Sequence, residues 1–368
     1  MNNTSNPPPG PSILVTGATG FLGSHLCAEL CSTPSRKIGS GTPDRRGDPK
    51  NVRVFAQSAS PKLARLGVEV VTGSVTDPQA VARALTGITH VYHLAGFVSR
   101  TPAEAARMYA VHVDGTRILC EAARSAGVKR ILLASTSGTV AVSEEPDPAL
   151  DESVDPPLSV IAKWPYYASK YYQEETARRG CGDDIELVIV NPSLLLGPGD
   201  DRLSSTRDIV TFLARDIPIC PPGGLNFVDA RDVAAALPNA MERGRPGERY
   251  LMGAFNWSFA EYFGRLERLT KVSGPRLTAP KGKLSFHLAR LQAGLYRGLG
   301  KTPPVEPAAV EMASYFWYFS SAKARQELGF SVREAGETLL DTVRYVREEI
   351  LGRRPLVGEA PSAAPPSA

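Results

Sequence analysis

The chain has 368 residues, with 42 Lys and Arg against 38 Asp and Glu for a formal charge of +4, and its 42% hydrophobic content suits one large or two ordinary globular domains rather than a disordered chain. No dense Lys/Arg stripe interleaved with aromatics is present, so nucleic acid is not an expected partner, and the five scattered cysteines and five histidines fit neither a disulfide framework nor a metal site. A start without basic and apolar signal regions, and no run near the ~18 to 20 apolar residues of a membrane span, lead to the expectation of a cytoplasmic protein.

In chain order, the Asn/Pro-rich residues 1–11 read as a disordered N-terminus. A strand is predicted at 12–16 and a helix at 21–30. Residues 31–51 form a long link where ~2 to 6 residues usually suffice, and read as an exposed loop. Strands follow at 52–56 and 68–71, a helix at 80–85 and a strand at 90–94. A long helix is predicted at 108–126, a strand at 130–134, a helix at 165–179 and a strand at 185–190. Apolar strands separated by helices predict an α/β fold, a doubly wound parallel sheet of the Rossmann type, over residues 12–195. Beyond 195 the alternation weakens. Residues 196–352 read as a smaller, mainly substrate-binding region, with some segments returning to the core. Within it, 281–301 is basic and amphipathic, suited to a membrane surface or an apolar substrate and more ordinarily to a packed helix. Residues 320–351 read as a closing strand-turn-helix, and 353–368 as a disordered tail.

Three clusters carry chemistry. The segment from Thr16 to Gly23 follows the first strand and opens a helix; its Gly17, Gly20 and Gly23 are spaced for a tight turn, close approach of a pyrophosphate, and helix–strand packing. Tyr166 and Lys170 stand at i and i+4 on one helix face. A cation beside a phenol lowers its pKa toward one useful for acid–base work. Ser135, Thr136 and Ser137 end the fifth strand, where a hydroxyl can polarise a carbonyl.

Together these motifs resemble the extended short-chain dehydrogenase/reductase superfamily (the NAD-dependent epimerase/dehydratase family), nearest to dihydroflavonol reductase and 3β-hydroxysteroid dehydrogenase-like members. The resemblance runs over roughly 12–351 and includes His93-Leu94-Ala95-Gly96, Asn191-Pro192-Ser193, Leu196-Gly197-Pro198-Gly199-Asp200 and the segment Phe227 to Val233. It implies that Tyr166 is the general acid/base, that Lys170 holds the nicotinamide ribose, and that Ser137, or alternatively Thr136, orients the carbonyl. It places cofactor contacts on Gly17, Ala18, Thr19, Gly20, Phe21, Leu22 and Gly23, on Gln57, Ser58, Ser74 and Val75, on Leu94, Ala95 and Gly96, and on Pro192 and Ser193 beside the nicotinamide. Two positions depart from the family pattern. His112 stands where an Asn is usual, and Ser74 where an acid is usual, with Asp77 placed to cap a helix.

The second strand ends at Gln57 and Ser58 without a carboxylate to repel a 2′-phosphate, which favours NADP over NAD. The resulting expectation is an NAD(P)-dependent oxidoreductase interconverting a small-molecule ketone or aldehyde and an alcohol, without a metal. The aromatic run Tyr315 to Phe319, with Trp317 at its centre, suits a pocket for an apolar carbonyl compound or a packed core. A nucleotide-sugar epimerase or dehydratase with tightly bound NAD is the alternative, and a non-catalytic dinucleotide sensor a third, which the intact Tyr–Lys pair disfavours. The resemblance also suggests a homodimer through paired helices.

Overall fold

Strand side chains alternate between two faces, and here both faces are apolar. The computed structural model describes residues 12–32, 47–147, 150–280, 283–298 and 307–352. Its first strands are β1 (Ile13–Thr16), β2 (Val52–Ala56), β3 (Glu69–Thr72), β4 (His90–His93), β5 (Arg130–Ala134) and β6 (Glu186–Pro192). Between them lie α1 (Phe21–Ser32), α2 (Pro61–Arg65), α3 (Pro78–Leu85), α4 (Ala105–Tyr109), α5 (Gly115–Ala126), α6 (Leu158–Ile161) and α7 (Pro165–Cys181). Leu14, Val91, Ile131, Leu133 and Ile189 are buried in the layer that also holds Val81, Leu119 and Ala177, from α3, α5 and α7. Their neighbours Val15, Tyr92, Leu132 and Val190 are buried on the opposite face, against Leu26 and Leu30 of α1.

The C-terminal half adds β7 (Leu194–Leu196), α8 (Arg207–Leu213), β8 (Ile219–Cys220), β9 (Gly224–Asp229), α9 (Ala230–Arg243), β10 (Arg249–Met252), β11 (Phe255–Ser258) and α10 (Phe259–Thr270). Then come β12 (Leu277–Thr278), α11 (Lys283–Gly298), α12 (Pro307–Met312), α13 (Ala322–Leu328) and α14 (Ala335–Tyr345). The main sheet is seven-stranded and parallel, in the order β10-β6-β5-β4-β1-β2-β3. A three-stranded sheet, β11-β9-β7, and the pair β12-β8 build the second region around Phe212, Phe227, Tyr262 and Leu339. The strand order switches direction between β1 and β4, which opens a ligand crevice beyond their carboxyl ends.

The helix expected at 108–126 is present within an unbroken helical run from Ala105 to Ala126, with a wide π-turn, Ala110–Asp114, inserted between α4 and α5. One sequence expectation is corrected. Residues 320–351 hold no strand. The Ala-rich segment after Ser321 instead forms α13, which Gly329 ends in the left-handed conformation at φ 68°, and α14 follows. Most of the long link (33–46) and both ends (1–11 and 353–368) lie outside the described residues.

Candidate active site

β1 delivers Thr16 to the crevice, and the chain then turns through Gly17 at φ 70°. A Cβ on Gly17 would lie 2.6 Å from Ala95 N and from the Leu94 carbonyl; one on Gly23 would lie 2.2 Å from Gly17 O. No other residue fits either place, so β4, the loop and α1 are locked together. The Thr16 hydroxyl accepts the Ala95 N–H at 3.2 Å, and Gly20 N–H donates to Gly17 O at 2.9 Å. Ala18, Thr19, Phe21 and Leu22 complete the turn into α1, whose first N–H groups, like those of any helix, have no carbonyl partner within it. Gln57 and Ser58 are exposed just past β2. Ser74 bonds Thr76 at 2.7 Å beside the buried Val75, and Asp77 caps α3 through Gln79 N and Ala80 N.

Tyr166 and Lys170 share one face of α7, as their spacing predicts, but the side chains have different partners. Lys170 is only 4% exposed and donates to Ala134 O at 2.7 Å and to Gln173 Oε1. Burial lowers its pKa to about 7, against the pull of Glu174. Burial raises the pKa of Tyr166 well above its ordinary value, as does neighbouring Tyr167, while a hydrogen bond with Thr136 lowers it. Of the two candidate hydroxyls, the one beside the phenol is therefore that of Thr136. Ser137 is buried in the short 3₁₀ turn Ser137–Thr139.

Sequence reasoning missed the polar layer beneath this pair. Gln173 and Glu174 follow Lys170 at i+3 and i+4, a spacing that puts them on its face of α7. Gln173 also donates to Thr116 Oγ1 at 3.0 Å, which meets His93 Nε2 at 3.0 Å, whose Nδ1 meets Thr16 Oγ1 at 2.8 Å. A buried chain of hydrogen bonds thus joins Lys170 to the glycine loop. Glu174 accepts from Ser135 Oγ, Thr139 Oγ1 and Asn191 Nδ2, and Arg249 of β10 lies 3.3 Å from its second oxygen. His112 occupies the π-turn. Phe97 N–H donates to its Nε2 at 3.0 Å, so Nδ1 carries the proton and donates to Ser169 Oγ at 2.8 Å. Burial, then the charge of Lys170, holds its pKa far below the ordinary value; it is a neutral, fully bonded core histidine.

Pro192 ends β6. Next to it the Ser193 hydroxyl is buried without a hydrogen-bond partner, and Lys170 retains a third N–H. An unsatisfied hydroxyl, a free ammonium donor and a glycine loop at a helix N-terminus, all at one crevice, fit a dinucleotide. On the far side, Tyr167 packs on Tyr166 at 5.1 Å and on Trp317 at 4.8 Å, and Trp317 on Trp164 at 5.7 Å. Arg202, also missed, reaches over the glycine loop to Thr19 Oγ1 at 3.3 Å. Its loop is held by Asp200, whose buried carboxylate accepts three backbone N–H groups and two hydroxyls from residues 204–206.

The model of the NAD dependent epimerase/dehydratase family matches residues 13–253. The chain belongs to this family. That makes it an enzyme acting on carbonyl and alcohol groups with an NAD-type cofactor, and the parallel sheet and glycine loop are those of the extended short-chain dehydrogenase/reductases. Its relatives include a protein of Synechocystis named as a dihydroflavonol 4-reductase, 30% identical over 90% of this chain and 93% of that one. Sterol demethylase protein B of Methylococcus capsulatus is 31% identical, over 91% and 98%. The crystal structure of gox2253 superposes with a TM-score of 0.75 at 29% identity, covering 92% of this chain and 98% of that one.

Proposed function

We propose that this family member is an NADP-preferring reductase or dehydrogenase of an apolar, ring-bearing ketone or secondary alcohol, with Tyr166 as general acid/base, Thr136 as its hydroxyl partner and Lys170 as the ribose-holding cation. The observation that carries this reading is the placement of the Tyr166 phenol beside Thr136 at the end of β5, one helical turn from the buried Lys170. A bound nicotinamide would supply or accept the hydride at carbon. Tyr166 gives its proton to the carbonyl oxygen in reduction and takes it back in oxidation. Thr136 bonds the same oxygen and fixes its position. The third N–H of Lys170 is free for a ribose hydroxyl, and its charge, so placed, lowers the phenol pKa that burial raises. The unpartnered Ser193 hydroxyl would face a bound nicotinamide. The lack of an acid at Gln57 and Ser58 supports NADP, as does the guanidinium of Arg202 above the loop. The partly buried Tyr167 and Trp317, packed on the buried Trp164, support a flat apolar substrate, in keeping with relatives named for a dihydroflavonol and a sterol.

The test is a fluorescence titration with NADPH and NADH, then turnover of a panel of ring ketones. NADPH binding the tighter, and oxidised cofactor released in step with product, are expected. Interconversion of nucleotide sugars without net cofactor turnover would favour the epimerase alternative instead. Tyr166→Phe should lower kcat by about 10² to 10⁴ and leave NADPH affinity nearly unchanged.

A further inference from the structure

The net charge of the chain is concentrated in one short segment. Residues 281–301 hold Lys281, Lys283, Arg290, Arg297 and Lys301 and no Asp or Glu, so the rest of this +4 chain is net −1. Leucines recur within it at 284, 288, 291 and 295, the spacing of one helical stripe. Its described part, α11, runs the sixteen residues Lys283–Gly298 and packs against α12. Ala293 is buried there, but Leu291 and Leu295 are 68% and 64% exposed, and Tyr296 is exposed as well. A few residues earlier, Leu277 of β12 stands directly opposite Ile219 of β8, and both are exposed. Five of the eight large apolar side chains exposed among the described residues thus belong to β8, β12 and α11. The packed-helix expectation for this stretch holds at Ala293 and fails at Leu291 and Leu295.

We propose that α11 docks the protein on an anionic lipid bilayer, with the exposed Leu291 and Leu295 at the acyl boundary and the positive charge of the segment 281–301 attracted to the headgroups. Apolar exposure alone would fit many partners. Its coincidence with the chain's only strongly basic, acid-free segment selects an anionic surface with an apolar interior. A second copy fits poorly, because a two-fold contact through α11 would bring the like charges of Lys283, Arg290 and Arg297 from both copies together. No helix among the described residues is long and apolar enough to cross a membrane, so the contact lies along the surface. The proposal is independent of the reaction catalysed.

The experiment is co-sedimentation of the full chain with vesicles of phosphatidylcholine alone or mixed with phosphatidylglycerol. Pelleting with the mixed vesicles, on the order of tenfold weaker with phosphatidylcholine alone and reversed by salt, is expected. The double variants Leu291→Asp/Leu295→Asp and, as the milder pair, Leu291→Ser/Leu295→Ser should lose it while keeping the thermal midpoint and NADPH affinity of the parent. Three results would overturn the proposal: equal or absent binding to both vesicle types, binding that survives in a folded double variant, or a concentration-dependent dimer in ultracentrifugation that the same substitutions abolish.

Discussion

Lys170 is the residue whose environment differs most from what its spacing alone conveys. An i, i+4 pair suggests a cation facing a phenol, whereas the buried ammonium turns to Ala134 O and Gln173 Oε1. With its pKa near 7, about half of it is neutral at neutral pH in the free protein. A bound ribose and diphosphate favour the charged form. NADPH affinity should therefore be full below about pH 7 and fall as pH rises toward about 9, by at most tenfold per unit. Fluorescence titrations across that range check this, and Lys170→Met should flatten the curve. Gln173→Leu removes an acceptor from the ammonium, so its decline should begin at lower pH than in the parent. A purely structural role for Gln173 would lower affinity at every pH alike. The glycine loop, Tyr166 and Lys170 were legible because each is a local pattern. Arg202 was not, because nothing in its own neighbourhood marks it; only the fold brings it to the crevice, as only the fold shows that the hydroxyl of Ser193 lacks a partner.

Among the elements, the helical run from α4 through its π-turn to α5 is the most informative. Its sequence keeps a helical apolar period throughout, so reading it as one helix was natural, and a single wide turn hardly disturbs that period. The turn gives His112 bonds to both Phe97 N and Ser169 Oγ. Beside it, His93 is wholly buried between Thr16 and Thr116, with its pKa held down to about 3 by burial and then by Lys170. Both imidazoles are neutral in the folded chain and titrate near their ordinary ~6.5 once it unfolds. As pH falls below that value, only the unfolded chain takes up these protons, and stability drops. Each histidine should contribute a loss of up to about 1.4 kcal/mol per pH unit, continuing toward pH 3 for His93. Urea midpoints at intervals from neutral to mildly acid pH would show the slope, and His112→Asn should reduce it.

Across the whole molecule, the strand–helix alternation made the first six strands of the sheet readable, because each βα unit is contiguous in sequence. The second region was not, since its short strands β7, β9 and β11 come from separate segments and pair in a mixed sheet, β7 parallel and β11 antiparallel to β9. What joins the two regions is ionic as well as apolar. Asp229, at the end of β9, is buried; burial pushes its pKa up, but Arg231 and Arg333 outweigh that and hold the carboxyl below its ordinary value. Arg231 reaches on to Asp341 of α14. Asp229→Ala would leave two partly buried guanidinium groups short of a partner and remove the cap of α9, a loss on the order of 3 kcal/mol. A lowered thermal midpoint, with no change in the cofactor preference of the remaining folded protein, is the expected outcome.

The outermost slot of the main sheet is filled by β10, whose residues come some sixty positions after those of its neighbour β6. A ribosome making this protein thus finishes six strands long before the seventh emerges. In the interval β6 has no β10 to cover it, an unpaired, apolar edge of the kind that invites pairing with other strands. Cutting the gene near codon 195 to express either half alone would freeze that vulnerable stage, yielding aggregates instead of a miniature nucleotide-binding module.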